Sequence, residues 1–286
     1  MTNWVPWYAK IAAKLVLSRL PLNYGSWRKL KVFVHGSMHE PGYVHDVYRR
    51  HFDRSRFARK HGGFVGLEVG PGDSLSSAIV AKTYGARLCY LVDSAAFAIE
   101  DRVPYEATGD YLRSLGLSPP DLGEVADLKG MLAKCDAVYK TQGLDSIREI
   151  PSGSVDFIWS QAVLEHIRRR EFLDFMRELR RVLRPDGVCS HRVDLRDHLG
   201  GALNNLRFSP RLWESDWMAN SGFYTNRIRY GEMIDLFGQA GFGVEVRGVD
   251  RWHGLPTPRR ALNMLFRLLP DEDLLVSGFD VLLRPT

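Results

Sequence analysis

Gly66-Leu67-Glu68-Val69-Gly70-Pro71-Gly72-Asp73-Ser74 carries the densest chemical signal in the chain. An apolar run ends there in a glycine-rich turn and continues into a helical pattern. Glycines let the backbone approach a ligand closely, and N–H groups at a helix start bind polar atoms. Two ligand classes compete for such a turn. A dinucleotide site has the spacing GxGxxG. Gly70 and Gly72 satisfy it, but Leu75 stands at the third glycine position. Glu68 would repel a pyrophosphate and attract a cationic ligand. Asp93 ends the next apolar run, 21 residues past Gly72. From there a carboxylate accepts both hydroxyls of a ribose, although nicotinamide sites share that spacing.

A second set of residues could move protons. An alcohol nucleophile gains from a general base of pKa near 7, and His166, His191, Asp194 and His198 are the candidates. A hydrogen-bonded structural role is the competing reading for each. His191, Asp194 and His198 also have a metal-like spacing, but three mixed ligands on a strand and its loop fall short of a metal motif, and no metal is expected. Residues 196–228 are rich in amide, guanidinium and aromatic groups. Asn204, Trp213, Tyr224 and Arg227 are candidates there for holding a polar, ring-bearing or anionic substrate, with plain packing as the alternative for Trp213.

These groups need a frame. From Phe64 short apolar runs alternate with helical patterns. Strands are expected at 64–70, 87–93, 155–161 and 188–195, and helices at 74–85, 109–135 (broken at Pro119-Pro120) and 170–183. Phe172, Phe175, Met176, Leu179 and Leu183 share one face of the last helix. The turn 184–187, RPDG, separates it from the strand after it. Helices at 229–240 and 258–268 and strands at 243–249 and 274–284 complete the tail. Such alternation predicts an α/β fold, a Rossmann-like and mostly parallel sheet with helices on both faces.

S-adenosylmethionine carries a sulfonium and an α-ammonium, so an acidic residue beside a glycine turn suits it. At four blocks the chain resembles the class I S-adenosylmethionine-dependent methyltransferases of the small-molecule type, the type 11-like group. GLEVGPGDS is similar to their first, glycine-rich motif and LCYLVD to their second-strand acidic motif. IPSGSVDFIWSQAVLEHI is similar to their fourth-strand segment, and LRRVLRPDGV to the approach to strand five. The resemblance spans residues 64–195 and implies seven strands, the last inserted antiparallel. It implies that Glu68, Gly70 and Gly72 shape the methionine end and that Asp93 holds the ribose. It also implies that Asp145 flanks the adenine and that Ser160 and Gln161 face the cofactor. The expected activity is O-methylation of a polar small molecule or a sugar or glycan acceptor. A non-catalytic cofactor-binding protein and a peripheral membrane enzyme acting on a lipid-linked acceptor are the alternatives.

Ser160-Gln161-Ala162-Val163 follows strand four, with neither an Asn/Asp-Pro-Pro-aromatic motif nor a Pro-Cys nucleophile, so no nucleic-acid partner is expected. A composition of 45% hydrophobic and 26% charged residues excludes a disordered chain and a disulfide scaffold. The net charge of +5 hides an asymmetry: residues 1–62 hold 12 Lys+Arg against 3 Asp+Glu, and the rest 27 against 31. Residues 1–62 are expected to be a helical extension or lid, and 63–286 the cofactor-binding domain with an insert at about 196–228. Residues 4–20 are amphipathic. They either pack on the domain or lie at a membrane interface, with Trp4, Trp7 and Tyr8 at the headgroups. Cys89, Cys135 and Cys189 form no CxxC pair, which suggests reduced thiols in a cytoplasmic protein. Oligomeric state is not legible.

Overall fold

The runs FVGLEV and VDFIWS are apolar almost throughout, as strands covered on both faces must be. The computed structural model, which describes residues 7–9, 11, 37–56 and 63–286, pairs them side by side at the centre of a sheet. The strands are β1 (Phe64–Val69), β2 (Ala86–Val92), β3 (Ala137–Lys140), β4 (Val155–Gln161), β5 (Leu183–Asp194), β6 (Phe242–Arg251) and β7 (Val276–Pro285). Their order is β3-β2-β1-β4-β5-β7-β6. The first five strands are parallel, and β7 runs antiparallel between β5 and β6. This is the Rossmann-like arrangement expected from the alternation, with the inserted last strand. The strand order reverses between β1 and β4, and the crevice at their C-terminal ends is where such sheets bind ligands.

Side chains alternate across each strand and so feed two cores. Val65, Leu67, Ile158, Cys189 and Val193 face α5 (Leu144–Arg148), α6 (Phe172–Val182) and α7 (Tyr230–Gln239). Phe157, Trp159 and Val188 face α1 (Pro41–Ser55), α2 (Ser76–Thr83), α3 (Val103–Ser114) and α4 (Leu128–Lys134). Tyr48 of α1 is fully buried, its ring edge-on to Trp159 at 5.1 Å. Helix α1 thus covers β4 from the N-terminal side of the chain.

Several details depart from the sequence reading. Strand β3 and α5 were not expected; β3 has only four residues at the sheet edge, too few to show a period. The helix expected over 109–135 is two helices, Val103–Ser114 and Leu128–Lys134, with the prolines in the loop between them. The one expected over 258–268 is a 3-10 turn at Arg259–Ala261 and a single α turn at Met264–Arg267. Asn263 accepts the Leu265 N–H and starts a new cap, which ends any continuous helix.

Most of residues 4–20 lies outside the described residues. Of that stretch Trp7, Tyr8, Ala9 and Ile11 are described, in helical conformation. Trp7 meets Phe208 edge-on at 5.9 Å, under the Arg207 guanidinium, and Ile11 is buried among Leu199, Trp213 and Phe223. Among the described residues no helix is long and apolar enough to cross a membrane.

Asp156, at the start of β4, has a structural job. Its Oδ2 accepts the Val65 N–H at 2.9 Å, where the β1–β4 pairing has not yet begun. Its Oδ1 lies 3.3 Å from Arg184 Nε at the start of β5, where the sequence reading expected a turn. Asp156→Ala leaves a buried donor unmet and should lower stability by about 1–3 kcal/mol. Denaturant unfolding measures this, and cofactor affinity should stay unchanged.

Candidate active site

Chain direction at the switch point is set by two turns. After β1, Gly70 and Gly72 adopt φ of 70° and 69°, a region that disfavours any side chain. After β4, Ala162 adopts φ of 55° without being glycine. Strained backbone of this kind clusters at functional sites. The turns touch: a Cβ built on Gly70 would lie 2.6 Å from Val163 Cγ2, so the glycine is required by contact as well as by φ.

Asp93 leaves the end of β2 toward this crevice. Its Oδ2 accepts the Gly72 N–H at 2.9 Å and its Oδ1 the Ser94 N–H at 2.7 Å. The backbone around it is also fixed, with Gly143 N–H donating to the Asp93 carbonyl at 2.8 Å. An oriented carboxylate of this kind fits a ribose diol. Glu68 is placed differently from an open cation receptor. Its carboxyl is buried beneath α2 and accepts a bond from Ser77 Oγ. Burial pushes it up to about 8; the Ser77 bond opposes the rise and nearby Asp93 adds to it. It therefore ties the end of β1 to α2. Asp145 sits on α5 with an exposed carboxylate paired to Arg148 at 2.8 Å.

The base candidates separate into two groups. His166, Asp194 and His198 gather at the C-terminal edge of β4 and β5. The His166 and His198 rings stack with centroids 4.9 Å apart and planes 12° apart, and their Nε2 atoms lie 3.2 Å from each other. His166 Nδ1 lies 3.0 Å from the Tyr224 carbonyl, which can only accept. His166 Nδ1 therefore carries a proton, its Nε2 is the acceptor in the neutral pair, and His198 Nε2 is the donor. Asp194 is gripped by Arg196. Burial raises its carboxyl, but the Arg196 bonds outweigh this and hold it below the usual range, with a small contribution from nearby His198 in its protonated form. His191 stands apart as a correction to the expectation. It is buried inside the sheet beside Ser160, whose Oγ lies 2.7 Å from its Nδ1. Burial, with His51 adding, pushes it down to about 3. A ring there has no path to an acceptor at the strand ends.

The four substrate candidates are likewise corrected. Asn204, Trp213, Tyr224 and Arg227 are all buried. Trp213 Nε1 donates to the Thr225 carbonyl at 2.7 Å, Tyr224 OH to Glu214 at 2.7 Å, and Arg227 to the Phe208 carbonyl at 2.8 Å beneath stacked rings. Asn204 Oδ1 accepts from Arg207 at 3.0 Å. They form the insert's own core, because a segment without regular strands must satisfy its carbonyls with side chains.

One residue beside the site escaped the sequence reading, and a second, Asn226, stood there only among the polar groups of the insert. Glu165, between Leu164 and His166, is buried, and its Oε1 accepts the Asp194 N–H at 3.3 Å. Burial pushes it up to about 8. Asn226 staples the insert to the same turn, donating to the carbonyls of Leu164 and Ile167 at 2.8 and 3.0 Å. Glu165 had a signal, its place beside His166; Asn226 had only its place in the insert.

A family model described as a methyltransferase domain matches residues 122–190, the stretch from the loop before α4 to the middle of β5. That match spans 69 of the 286 residues, and the strand order of the whole sheet is the Rossmann-like one described above. No curated protein matches the sequence. Among solved structures, the chain is similar to an S-adenosylmethionine-dependent methyltransferase from Mesorhizobium loti, at 16% identity over 79% of this chain and 93% of that one, TM-score 0.42. A second, from Methanosarcina mazei, shares 17% identity over 79% and 94%, TM-score 0.42. A third is phosphoethanolamine N-methyltransferase 2 from Haemonchus contortus in complex with S-adenosyl-L-methionine. It is 12% identical over 84% of this chain and 53% of its own, TM-score 0.45.

The two raised carboxyls make stability depend on pH. Glu68 and Glu165 titrate near 4.5 when unfolded and near 8 when folded. The folded state holds more protons between these values, so their contribution is complete below pH 4.5 and is lost as pH rises through about 8. Melting temperature should fall across that window from this source, and Glu68→Gln should flatten the fall. A pH series of thermal melts checks it.

Proposed function

We propose that this methyltransferase methylates a hydroxyl group of a polar small molecule or sugar acceptor, with the His166–His198 pair as its base. The observation that carries this reading is the fixed tautomer of the pair. Tyr224 holds His166, His166 accepts from His198 Nε2, and so His198 Nδ1 is the basic atom of the neutral pair. Both rings are exposed at the rim of the crevice, within the field of Asp194.

When bound, S-adenosylmethionine supplies an electrophilic methyl on a sulfonium. The residues that would hold it are Asp93 at the ribose, the Gly70–Gly72 turn at the methionine end, and Gln161 beside them. Alignment can supply much of the rate in such an in-line displacement. His198 Nδ1 would take the proton of the acceptor hydroxyl, which frees an oxygen lone pair for the methyl group that the cofactor would supply. The positive charge then rests on a ring hydrogen-bonded to His166 and near the Asp194 carboxylate.

In this reading residues 63–286 form the catalytic domain and 1–62 its appended extension, in a cytoplasmic enzyme. One observation favours a lipid-linked acceptor as the second reading: Met264, Leu265 and Leu268 are 72%, 59% and 81% exposed within one short segment. Exposed apolar patches mark contact surfaces. Membrane contact through residues 4–20 belongs to that second reading.

His198→Ala should lower kcat by about 10²–10⁴-fold, the usual contribution of a general base. The KM for S-adenosylmethionine should not change. Transfer of tritiated methyl into fractionated cell extract, at saturating cofactor, measures this. An unchanged rate would refute His198 as base.

A further inference from the structure

Helix α1 reaches the cofactor crevice from outside the strand–helix repeat. His51 on it is 1% exposed, and both ring nitrogens are used. Nδ1 lies 2.8 Å from Ser190 Oγ on β5, and Nε2 lies 3.1 Å from Gln161 Oε1 at the end of β4. An amide oxygen only accepts, so Nε2 carries the proton and donates. Nδ1 is then bare and accepts the Ser190 hydroxyl. The bonds bind one residue of α1 to two neighbouring strands and hold the Gln161 amide against the helix. Its oxygen points to the helix, which leaves its NH2 to face the other way, beside the Ala162 turn.

We propose that His51 is a positioning residue for methyl transfer: it fixes the Gln161 amide so that the NH2 group donates to an acceptor atom of the cofactor. The inference rests on the reading that Gln161 meets the cofactor. It makes α1 a working part of the cofactor site, although α1 lies before the glycine-rich motif. Burial lowers the His51 imidazole to about 4, so the neutral tautomer that this arrangement needs persists at neutral pH. A second buried histidine on the same helix provides contrast. His45 Nε2 lies 3.0 Å from Tyr84 OH, on the part of α1 that packs against the end of α2, and touches no strand terminus.

The test is a double-mutant cycle on the full chain, read as the Kd of S-adenosylhomocysteine by calorimetry. Gln161→Ala and His51→Ala should each weaken binding by about tenfold, near 1.4 kcal/mol. The double variant should be no weaker than Gln161→Ala alone, because His51 acts only through the amide. His51→Gln, which keeps an N–H donor, should recover most of the affinity, and His45→Ala should leave it unchanged. The same cycle with His51→Leu, which refills the ring's volume, covers a folding loss in the alanine variant. Losses that multiply in the double variant would overturn the inference while leaving the Gln161 contact standing. A Gln161→Ala variant with unchanged Kd would overturn both.

Discussion

The contact between Gly70 and Val163 is the constraint on which the rest of the site depends. It joins the turn after β1, proposed to receive a cofactor's polar end, to the turn after β4, proposed to carry the base. Neither turn could move toward the other if residue 70 had a side chain, since a Cβ there would overlap Val163. The backbone shares the cost: Gly70 sits at φ of 70° and Ala162 at φ of 55°. Two left-handed residues facing each other across a switch point bring Asp93, Gln161 and His166 to one end of the sheet.

Around that contact, parts of the chain far apart in sequence are tied in by buried polar groups. Asn226 of the insert holds the carbonyls of Leu164 and Ile167 in the turn after β4. Glu165 in the same turn reaches the β5 terminus through the Asp194 N–H. His51 reaches the end of β4 from the opposite face. Each link places a polar group in a low-dielectric setting, where a partnered group is rigid and an unpartnered one is costly. The raised carboxyls of Glu68 and Glu165 are the visible sign of that setting, one under each turn.

Much of the frame was legible in the sequence because its signals are local. Buried parallel strands read as unbroken apolar runs, and α6 shows its apolar face through Phe172, Phe175, Met176 and Leu179. Asp93 was legible because its distance from Gly72 is set by one strand–helix–strand unit. What was not legible depends on contacts between distant residues. His51 and Gln161 are 110 positions apart, and nothing near either announces the other. His191 had the right type and the right strand, but its parity on β5 turns it into the sheet, beside Ser160. The insert misled for a different reason. Its aromatics and guanidinium groups resemble a ligand surface in composition, yet Trp213 and Arg227 are consumed in building a core where no regular ladder satisfies the backbone.

The central claim is that close approach of the two turns assembles the cofactor site, and the affinity of Gly70 variants tests it most directly. Gly70→Ala should weaken S-adenosylhomocysteine binding by more than about tenfold, from overlap with Val163 together with an unfavourable φ. Adding Val163→Ala should restore part of the loss, because it removes the overlap and leaves only the backbone strain. Wild-type affinity in Gly70→Ala, or no recovery in the double variant, would contradict the account.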